Sequence, residues 1–258
     1  MLLAITHLPS PHLQHCELAF VESEPIDMTL ASIQHHAYGA MLERCGAKVM
    51  TLDANLSLPD CVFVEDPIIV LDEVAILTSM GVASRREEIP ALKSFFQRYR
   101  PLQEITLPAR IEGGDVLRVG QTLFVGVSAR TNIQGIEALK TIVEPLGYRI
   151  IPIKVTGCLH LKTGVTALDE QTLLINPAWL DANAFEGFRQ ITVDPTEPFG
   201  ANVLKIGTTL CMNEAFPHTL ALVRGLGYMV ESVNISEFVK AEAGLTCMSV
   251  LMEVRSED

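Results

Sequence analysis

The stretch "AEAGLTCMSV" (residues 241–250) contains a cysteine that could either fill the core or act as a nucleophile. Cys247 follows Gly244 and lies between the hydroxyl side chains of Thr246 and Ser249. Most free cysteines are small buried hydrophobic groups, and a thiol becomes reactive only where its surroundings stabilise the thiolate. The role of Cys247 therefore depends on which other polar groups the fold brings to it.

Two other segments contain groups that could transfer or orient a proton. His160 lies in the apolar run 158–161, which predicts a strand, and histidine is the usual acid and base near neutral pH. In "EGGD" (112–115), two glycines permit a tight backbone path between Glu112 and Asp115. Taken singly, His160 fits a core position and "EGGD" fits a hairpin loop, so only their combination with a thiol indicates catalysis.

Acidic side chains flank another apolar run and could bind a cation. Asp60, Glu65 and Asp66 lie on either side of the run 61–64, which also predicts a strand. Adjacent acids in a strand point to opposite faces, and beside apolar residues they are costly unless a cation pairs with them. A guanidinium, with five N–H donors in one plane, is a cation that several carboxylates can share. Each acid alone fits a solvated strand end equally well.

Two arginines could complement these acids. Arg85 in "SRREE" and Arg130 in "SARTN" each follow a short strand-like run and lie in a polar loop. Each alone fits an exposed surface, but as a pair they could bind a carboxylate in a bidentate manner. The whole set predicts a thiol site for a molecule with a cationic group and a carboxylate.

A repeated pattern of helix, turn and strand would position these groups. Three segments place apolar residues at helical spacing before a glycine (Gly46, Gly147 or Gly227) and a β-rich run. Segments 91–108 and 179–194 are looser versions. Further strand-like runs complete a unit of strand–strand–helix–strand; they lie at 61–64, 68–71, 74–79, 116–119, 122–127, 165–168 and 172–176. Five such units predict an α/β ring, as in a propeller, with loops meeting at its axis.

The composition predicts a globular protein and argues against several kinds of partner. Of 258 residues, 48% are apolar and 19% are charged, and the net charge is −12. The sequence has no visible basic patch that could bind a nucleic acid. No apolar run approaches the ~20 residues that a membrane helix needs. The N-terminus lacks the basic region of a signal peptide. Six cysteines show no zinc-ligand spacing, so we expect reduced thiols, no metal and a cytoplasmic protein.

Five motifs give the sequence a resemblance to a known family. The motifs "FVEDP" (63–67), "SRR" (84–86), "VSARTN" (127–132), "LHLKTG" (159–164) and "GLTCMS" (244–249) resemble, in order and spacing, the dimethylarginine dimethylaminohydrolases. That family belongs to the guanidine-modifying superfamily with the amidinotransferase fold. The resemblance covers nearly the whole chain. It implies a pentein, a five-fold pseudosymmetric α/β propeller, and a single catalytic domain over residues 1–258.

The resemblance implies a catalytic set of three residues. Cys247 corresponds to the nucleophile, His160 to the general acid and base, and Glu112 to the carboxylate that partners the histidine. The implied reaction converts methylated arginines to citrulline and an amine through a covalent intermediate on the cysteine, without a cofactor. Because related bacterial enzymes of this size are often dimers, the resemblance also raises the expectation of a homodimer.

The resemblance also implies residues that bind the substrate. The acids that bind the guanidinium correspond to Asp60, Glu65 and Asp66. The residues that hold the substrate carboxylate correspond to Arg85 and Arg130. Leu18 falls where the family has a mobile lid whose main chain touches the substrate.

One position separates this chain from related enzymes. Arginine deiminases carry an aspartate two residues after the catalytic histidine, where this chain has Lys162. Losing that acid favours an alkylated guanidinium over arginine itself. The alternatives are an enzyme acting on arginine or agmatine, and a non-catalytic protein that binds arginine derivatives. Arg85 and Arg130 argue against agmatine, which has no carboxylate.

Overall fold

The computed structural model describes residues 1–254, and its strands form five three-stranded sheets. In chain order the strands are β1 Leu2–His7, β2 Lys48–Leu52, β3 Ile68–Val70, β4 Ala75–Leu77, β5 Leu102–Glu104, β6 Val116–Val119, β7 Thr122–Val127, β8 Arg149–Lys154, β9 Val165–Ala167, β10 Thr172–Ile175, β11 Arg189–Thr192, β12 Leu204–Ile206, β13 Thr209–Asn213, β14 Met229–Val233 and β15 Val250–Glu253. The sheets are β3-β4-β5, β6-β7-β8, β9-β10-β11, β12-β13-β14 and β15-β1-β2.

Every sheet has the same topology. Its middle strand pairs antiparallel with the first strand and parallel with the third. The first and last strands of the chain share one sheet, in which Leu3 lies opposite Met252 on β15 and Lys48 on β2. One unit is thus completed only when the C-terminal strand pairs with the N-terminal one.

Helices connect the middle and third strands in four of the five units. The helices are α1 Met28–Arg44, α2 Ile89–Phe96, α3 Ile133–Val143, α4 Leu161–Gly164, α5 Pro217–Gly225 and α6 Ser236–Val239. The four connecting helices are α1, α2, α3 and α5. In the unit of β9–β11 the predicted helix is wrong, because only a single 3-10 turn forms at Ala182–Phe185. Asp181 caps that turn and Gly187 adopts φ 93°, so the cap and the chain reversal leave room for one turn.

Glycines end the connecting segments as predicted. Gly46, Gly147 and Gly227 have φ of 94°, 90° and 91°, in the left-handed region where a side chain is strained. Each glycine lies just before the third strand of its unit and reverses the chain towards it. The same backbone feature therefore repeats around the molecule.

The five units close into a ring. Each of five hydrophobic clusters contains buried residues from two neighbouring sheets, and the sheet containing β1 packs against those on both sides. The first strands β3, β6, β9, β12 and β15 together line one cavity of about 580 Å³. A cavity lined by one strand from every unit lies on the axis of the ring, so the predicted pentein architecture is confirmed. No helix within residues 1–254 has the length and apolar character that crossing a membrane requires.

Two of the predicted strands are wrong. Residues 61–64 form turns, in which the Phe63 N–H donates to the Asp60 carbonyl at 2.9 Å. Residues 158–160 form a bend, and His160 is the residue that caps α4. Both segments are apolar because they are buried near the axis, where Val62 and Leu161 have no exposed surface, and not because they pair in a sheet.

Candidate active site

Four of the predicted site residues come from equivalent places in different units. Asp66 lies just before β3, Glu112 before β6, His160 before β9 and Cys247 before β15. Since the first strands surround the axis, the segments that lead into them converge at one end of it. The fold thus explains how residues so far apart in sequence share one site.

One cavity brings most of the predicted residues together. It measures about 20 Å³, and its walls include Asp60, Asp66, Arg85, Arg130, His160 and Cys247. Glu112 lies behind His160, whereas Glu65 and Leu18 are not part of this wall. A volume of this size holds only about one or two waters. An amino-acid ligand would therefore need some of the surrounding side chains or main chain to move.

A buried ion pair joins His160 to Glu112. The His160 Nε2 atom lies 2.7 Å from Glu112 Oε2, and Nδ1 lies 3.8 Å from Asp66 Oδ1. Burial opposes the charged ring, but the charge of Asp66 and the hydrogen bond to Glu112 raise the pKa of His160 to about 9. Burial likewise opposes the Glu112 carboxylate, but His160 lowers its pKa to about 2. At neutral pH the pair is an imidazolium and a carboxylate.

The glycine pair beside Glu112 permits this close approach. A Cβ atom on Gly114 would lie 2.6 Å from His160 Nδ1 and 2.7 Å from Asp66 Oδ1. Real Cβ atoms do not approach polar atoms so closely, so any side chain at residue 114 would displace the imidazole or the acid. The motif "EGGD" thus supplies both a carboxylate and the space that the histidine occupies.

Cys247 lies in the one-turn 3-10 helix Thr246–Met248, partly exposed at the cavity. Burial, followed by the negative charges of Glu65 and Asp66, raises the pKa of its thiol to about 12. The Gly244 N–H, which donates to Sγ at 3.4 Å, acts in the opposite direction. In the absence of a cationic ligand, Cys247 is therefore a protonated thiol.

The two arginines differ in their surroundings. Arg85 is buried, with Nη1 donating to Asp66 Oδ2 at 2.7 Å and Nε donating to Glu88 at 2.9 Å. Arg130 is also buried, but within residues 1–254 its guanidinium has only one hydrogen bond, a 3.5 Å contact to Glu112. Most N–H groups of Arg130 are thus free for a ligand, whereas those of Arg85 are largely occupied.

Glu65 faces away from the catalytic cavity. Its carboxylate pairs with Lys162 and accepts a hydrogen bond from the Thr246 hydroxyl at 2.9 Å. Glu65, Lys162 and Thr246 all line the larger axial cavity. Glu65 is therefore adjacent to the site, but the segment 244–248, called the nucleophile turn, lies between it and the ligand space.

A segment without regular structure, residues 16–27, covers the catalytic cavity on one side. Leu18 lies in it and is partly buried, while the neighbouring Glu17 donates its N–H to Asp60 at 3.2 Å and reaches the cavity wall. Glu242 accepts hydrogen bonds from the N–H groups of Ala19 and Phe20 at 2.7 and 2.8 Å. The segment is thus attached to both the acidic and the nucleophile sides of the site.

Three supporting residues have roles that were not predicted from the sequence. Glu242 holds the covering segment, with a φ of 62° that few non-glycine residues adopt. Glu88 neutralises Arg85, and Asp115 accepts the Leu161 N–H at 2.9 Å, just after His160. Asp115 could have been recognised from its place in "EGGD", but no local signal marks Glu88 or Glu242.

The cluster of Asp66, Glu112 and His160 could also hold a metal ion. Each offers one ligand atom, and these atoms lie within 4.8 Å of one another. However, Glu112 is already paired with His160 and Asp66 with Arg85. The cluster therefore has its own cations, and proton transfer explains the arrangement without a metal ion.

Comparison with known proteins shows which families the chain resembles. The family model for arginine deiminase matches residues 29–204. An N(G),N(G)-dimethylarginine dimethylaminohydrolase from Streptomyces coelicolor is 36% identical over 96% of this chain and 95% of its own length. The enzyme of that name from Pseudomonas aeruginosa is 33% identical over 87% and 89%.

The chain belongs to the dimethylarginine dimethylaminohydrolase family. The predicted resemblance is thereby confirmed. Among solved structures of the family, a cysteine-to-serine mutant of the Pseudomonas aeruginosa enzyme, complexed with citrulline, is 31% identical and has a TM-score of 0.91. The match covers 96% of this chain and 98% of that one. Family membership thus extends over the whole five-unit ring.

Proposed function

We propose that the protein hydrolyses Nω-methylated arginines, both asymmetric dimethylarginine and monomethylarginine, to citrulline and the corresponding amine. The observation that carries the proposal is the single cavity in which Cys247 and His160 meet Asp66 and Arg130. A thiol beside acids can attack a guanidinium, because the acids bind that cationic group. The free N–H groups of Arg130 can bind the carboxylate of the substrate. The names of the relatives support the same reaction.

The proposed binding mode uses the residues that the family resemblance indicates. Asp60 and Asp66 bind the guanidinium directly because they line the cavity, and Glu65 adds its charge from behind the nucleophile turn. Arg130 is the main partner of the substrate carboxylate, with Arg85 assisting. Leu18 contributes its main chain when the covering segment closes on the substrate.

Substrate binding activates the nucleophile in this mechanism. A thiol with a pKa of about 12 is almost entirely protonated at neutral pH. The positive charge of a bound guanidinium stabilises the thiolate, so that the thiol loses its proton to solvent when the substrate is in place. The same step brings the nucleophile and the electrophilic carbon together.

Covalent chemistry follows in two steps. The Cys247 thiolate forms a bond to the guanidinium carbon, and the bond from that carbon to the methylated nitrogen breaks as His160 gives that nitrogen a proton. The neutral imidazole then takes a proton from water, whose oxygen attacks the thiouronium carbon. The C–S bond then breaks, its electron pair returns to the sulfur as thiolate, and the remaining hydroxyl proton passes to solvent as citrulline is released. A His160 pKa of about 9 keeps the ring protonated for the first step.

Several wider proposals accompany the reaction. The whole chain acts as one catalytic domain, because the five units close a single ring around the site. The proposed steps use no metal or organic cofactor, and the substrate is a small molecule. We also propose a cytoplasmic location and a homodimer, both of which rest on the sequence and on the family.

A citrulline assay tests the proposed function. Purified, reduced protein is incubated separately with asymmetric dimethylarginine, monomethylarginine, arginine and agmatine. We expect citrulline from the methylated arginines, much less from arginine, and no turnover of agmatine, which lacks the carboxylate. Faster turnover of arginine would make the protein a deiminase. Binding of methylarginine without any product in calorimetry would contradict an enzymatic role.

Replacing the nucleophile should have the largest effect of any single change. Cys247→Ser is expected to lower kcat by at least ~10³-fold, because a hydroxyl is a far weaker nucleophile than a thiolate. Cys45→Ser, which alters another partly exposed thiol outside the cavity, is the matched control and should retain activity. Equal rates for Cys247→Ser and the native protein would exclude the proposed mechanism.

A further inference from the structure

The predicted site residues come from only four of the five units. The segments before β3, β6, β9 and β15 supply the acids, the histidine and the cysteine, but the unit of β12–β14 supplies none of them. In that unit, Asn202 occupies the equivalent place, two residues before β12. It is 8% exposed, so its amide must find hydrogen-bond partners within the protein.

The Asn202 amide connects the two turns that carry the reactive groups. Its Nδ2 donates to the Lys162 carbonyl at 3.0 Å and to the Thr246 hydroxyl at 3.0 Å. Its Oδ1 accepts the Thr246 N–H at 3.1 Å. Lys162 lies two residues after His160, and Thr246 directly precedes Cys247. A single side chain therefore binds both the histidine segment and the cysteine segment.

The nucleophile turn also packs directly on Asn202 through Gly244. A Cβ atom on Gly244 would lie only 2.3 Å from Asn202 Cγ and 2.4 Å from its Oδ1. The backbone angle of Gly244 does not require glycine, so the close approach of Asn202 is what excludes a side chain there. The Gly244 N–H in turn donates to the Cys247 sulfur at 3.4 Å. Asn202 thus contacts the turn at two points that precede Cys247, Gly244 and Thr246.

We propose that Asn202 is a positioning residue that holds the Cys247 sulfur in its catalytic place relative to His160 and to the Gly244 amide. It does not line the catalytic cavity, so it acts through the two turns and not on the substrate. The inference rests on the proposed function, since the geometry it maintains is that of nucleophile and acid. The unit of β12–β14 then positions the cysteine and histidine segments, whereas the other four units supply reactive or charged groups.

Steady-state kinetics of Asn202 variants test the proposal. Asn202→Ala should lower kcat by about 10- to 100-fold with KM changed by less than about threefold, because misplacing a reacting group by ~1 Å has an effect of this order. Asn202→Asp keeps the shape and the acceptor but loses the donor, and should lower kcat similarly. If Asn202→Ala does not fold, the isosteric variant carries the test.

Asn176→Ala is the matched control. Asn176 is equally buried and binds a carbonyl and an N–H in the same way, but its partners are Pro198 and Ala178. It should lower the melting temperature while changing kcat by less than about twofold. Equal kcat losses at the two asparagines, or a kcat unchanged in both Asn202 variants, would overturn the proposal.

A double-mutant cycle examines the contact with Gly244. Gly244→Ala should lower kcat by displacing the asparagine amide, and the same change should cost little in the Asn202→Ala background. Thr246→Ser, which keeps the hydroxyl, should retain activity, whereas Thr246→Val should lose it. Additive losses for the Gly244 and Asn202 changes would show that the two residues act separately and would contradict the proposal.

Alkylation of the thiol separates this proposal from the proposed function. The rate of iodoacetamide reaction at Cys247, mapped by peptide mass spectrometry, requires no substrate. Asn202→Ala should slow it by about tenfold at a fixed pH, because a displaced Gly244 N–H no longer stabilises the thiolate. A native protein that alkylates but makes no citrulline would refute the function alone. An alkylation rate unchanged by Asn202→Ala would refute the positioning role.

Discussion

The two ends of the ring axis use neighbouring residues for different purposes. Asp66, His160 and Cys247 line the catalytic cavity of about 20 Å³. Glu65, Lys162 and Thr246, one or two positions away, line the axial cavity of about 580 Å³ on the other side. Each of these segments therefore has one residue that faces the proposed substrate and another that faces the inside of the ring.

The difference lies in how the charges are balanced. On the axial side, Glu65 is paired with Lys162 and its remaining oxygen accepts the Thr246 hydroxyl. On the catalytic side, burial and then the charges of Glu65 and Asp66 raise the pKa of the Cys247 thiol, and Asp66 and Glu112 raise the pKa of His160 against its burial. We infer that the catalytic end can bind a further cation. At the axial end, Glu65, Lys162 and Thr246 already form a network without net charge.

Replacing each of the two adjacent acids by its amide should give the largest difference between the two ends. Asp66→Asn should lower kcat/KM by about 10²- to 10³-fold, since it removes a charge that contacts Arg85 and His160 and that binds the substrate in the proposed mode. Glu65→Gln should cost only about tenfold, because the amide can still accept the Thr246 hydroxyl. Steady-state kinetics on asymmetric dimethylarginine measure both. Equal losses would mean that Glu65 and Asp66 face the substrate alike.

The pH dependence of kcat/KM in a Glu112 variant tests how this carboxylate affects His160. Glu112→Gln removes the carboxylate that helps to hold the pKa of His160 at about 9, so that pKa should fall by at least about one unit. The alkaline limb of kcat/KM, on which activity falls as His160 loses its proton, should move to lower pH. The loss should be at least about threefold near pH 8.5 and smaller at pH 6.5.

The matched control for that profile is Glu137→Gln, which alters an exposed acid on α3. Its alkaline limb should coincide with that of the native protein. An unshifted limb in Glu112→Gln would show that Glu112 does not control the proton on His160.

The same ion pair should give a smaller signal in stability. Because the folded pKa of His160 is raised, its contribution to the free energy of unfolding is complete below its unfolded pKa of ~6.5 and is lost as pH rises through about 9. The loss should be on the order of 3 kcal/mol. Urea unfolding at pH 6, 8 and 10 measures it, and the pH dependence should be weaker in His160→Gln.

Much of the fold could be predicted because it repeats. The left-handed glycines at residues 46, 147 and 227 mark the same chain reversal in three units, and this periodicity indicated the ring. The helix predicted before β11 failed because a cap and a glycine lie too close together there. The apolar runs at 61–64 and 158–161 suggested strands, because a turn buried at the axis is as rich in apolar residues as a strand buried in a sheet.

The site could be predicted where chemistry limits the residue types. A thiol, a histidine and adjacent acids are unusual together, so Cys247, His160 and Asp66 could be selected from the sequence. Asn202 could not, since a buried asparagine has no distinguishing neighbours in sequence and its partners lie 40 and 44 positions away. Glu242 was missed for the same reason, because its contacts with the covering segment exist only in the closed ring.

The covalent step is the central claim, and trapping it is the most direct test. Native protein mixed with asymmetric dimethylarginine is quenched with acid during steady-state turnover and analysed by intact and peptide mass spectrometry. We predict that the peptide containing Cys247 carries the added mass of the substrate minus dimethylamine, and that Cys247→Ser carries none. Citrulline formation without any adduct on Cys247, or with the adduct on another cysteine, would contradict the account.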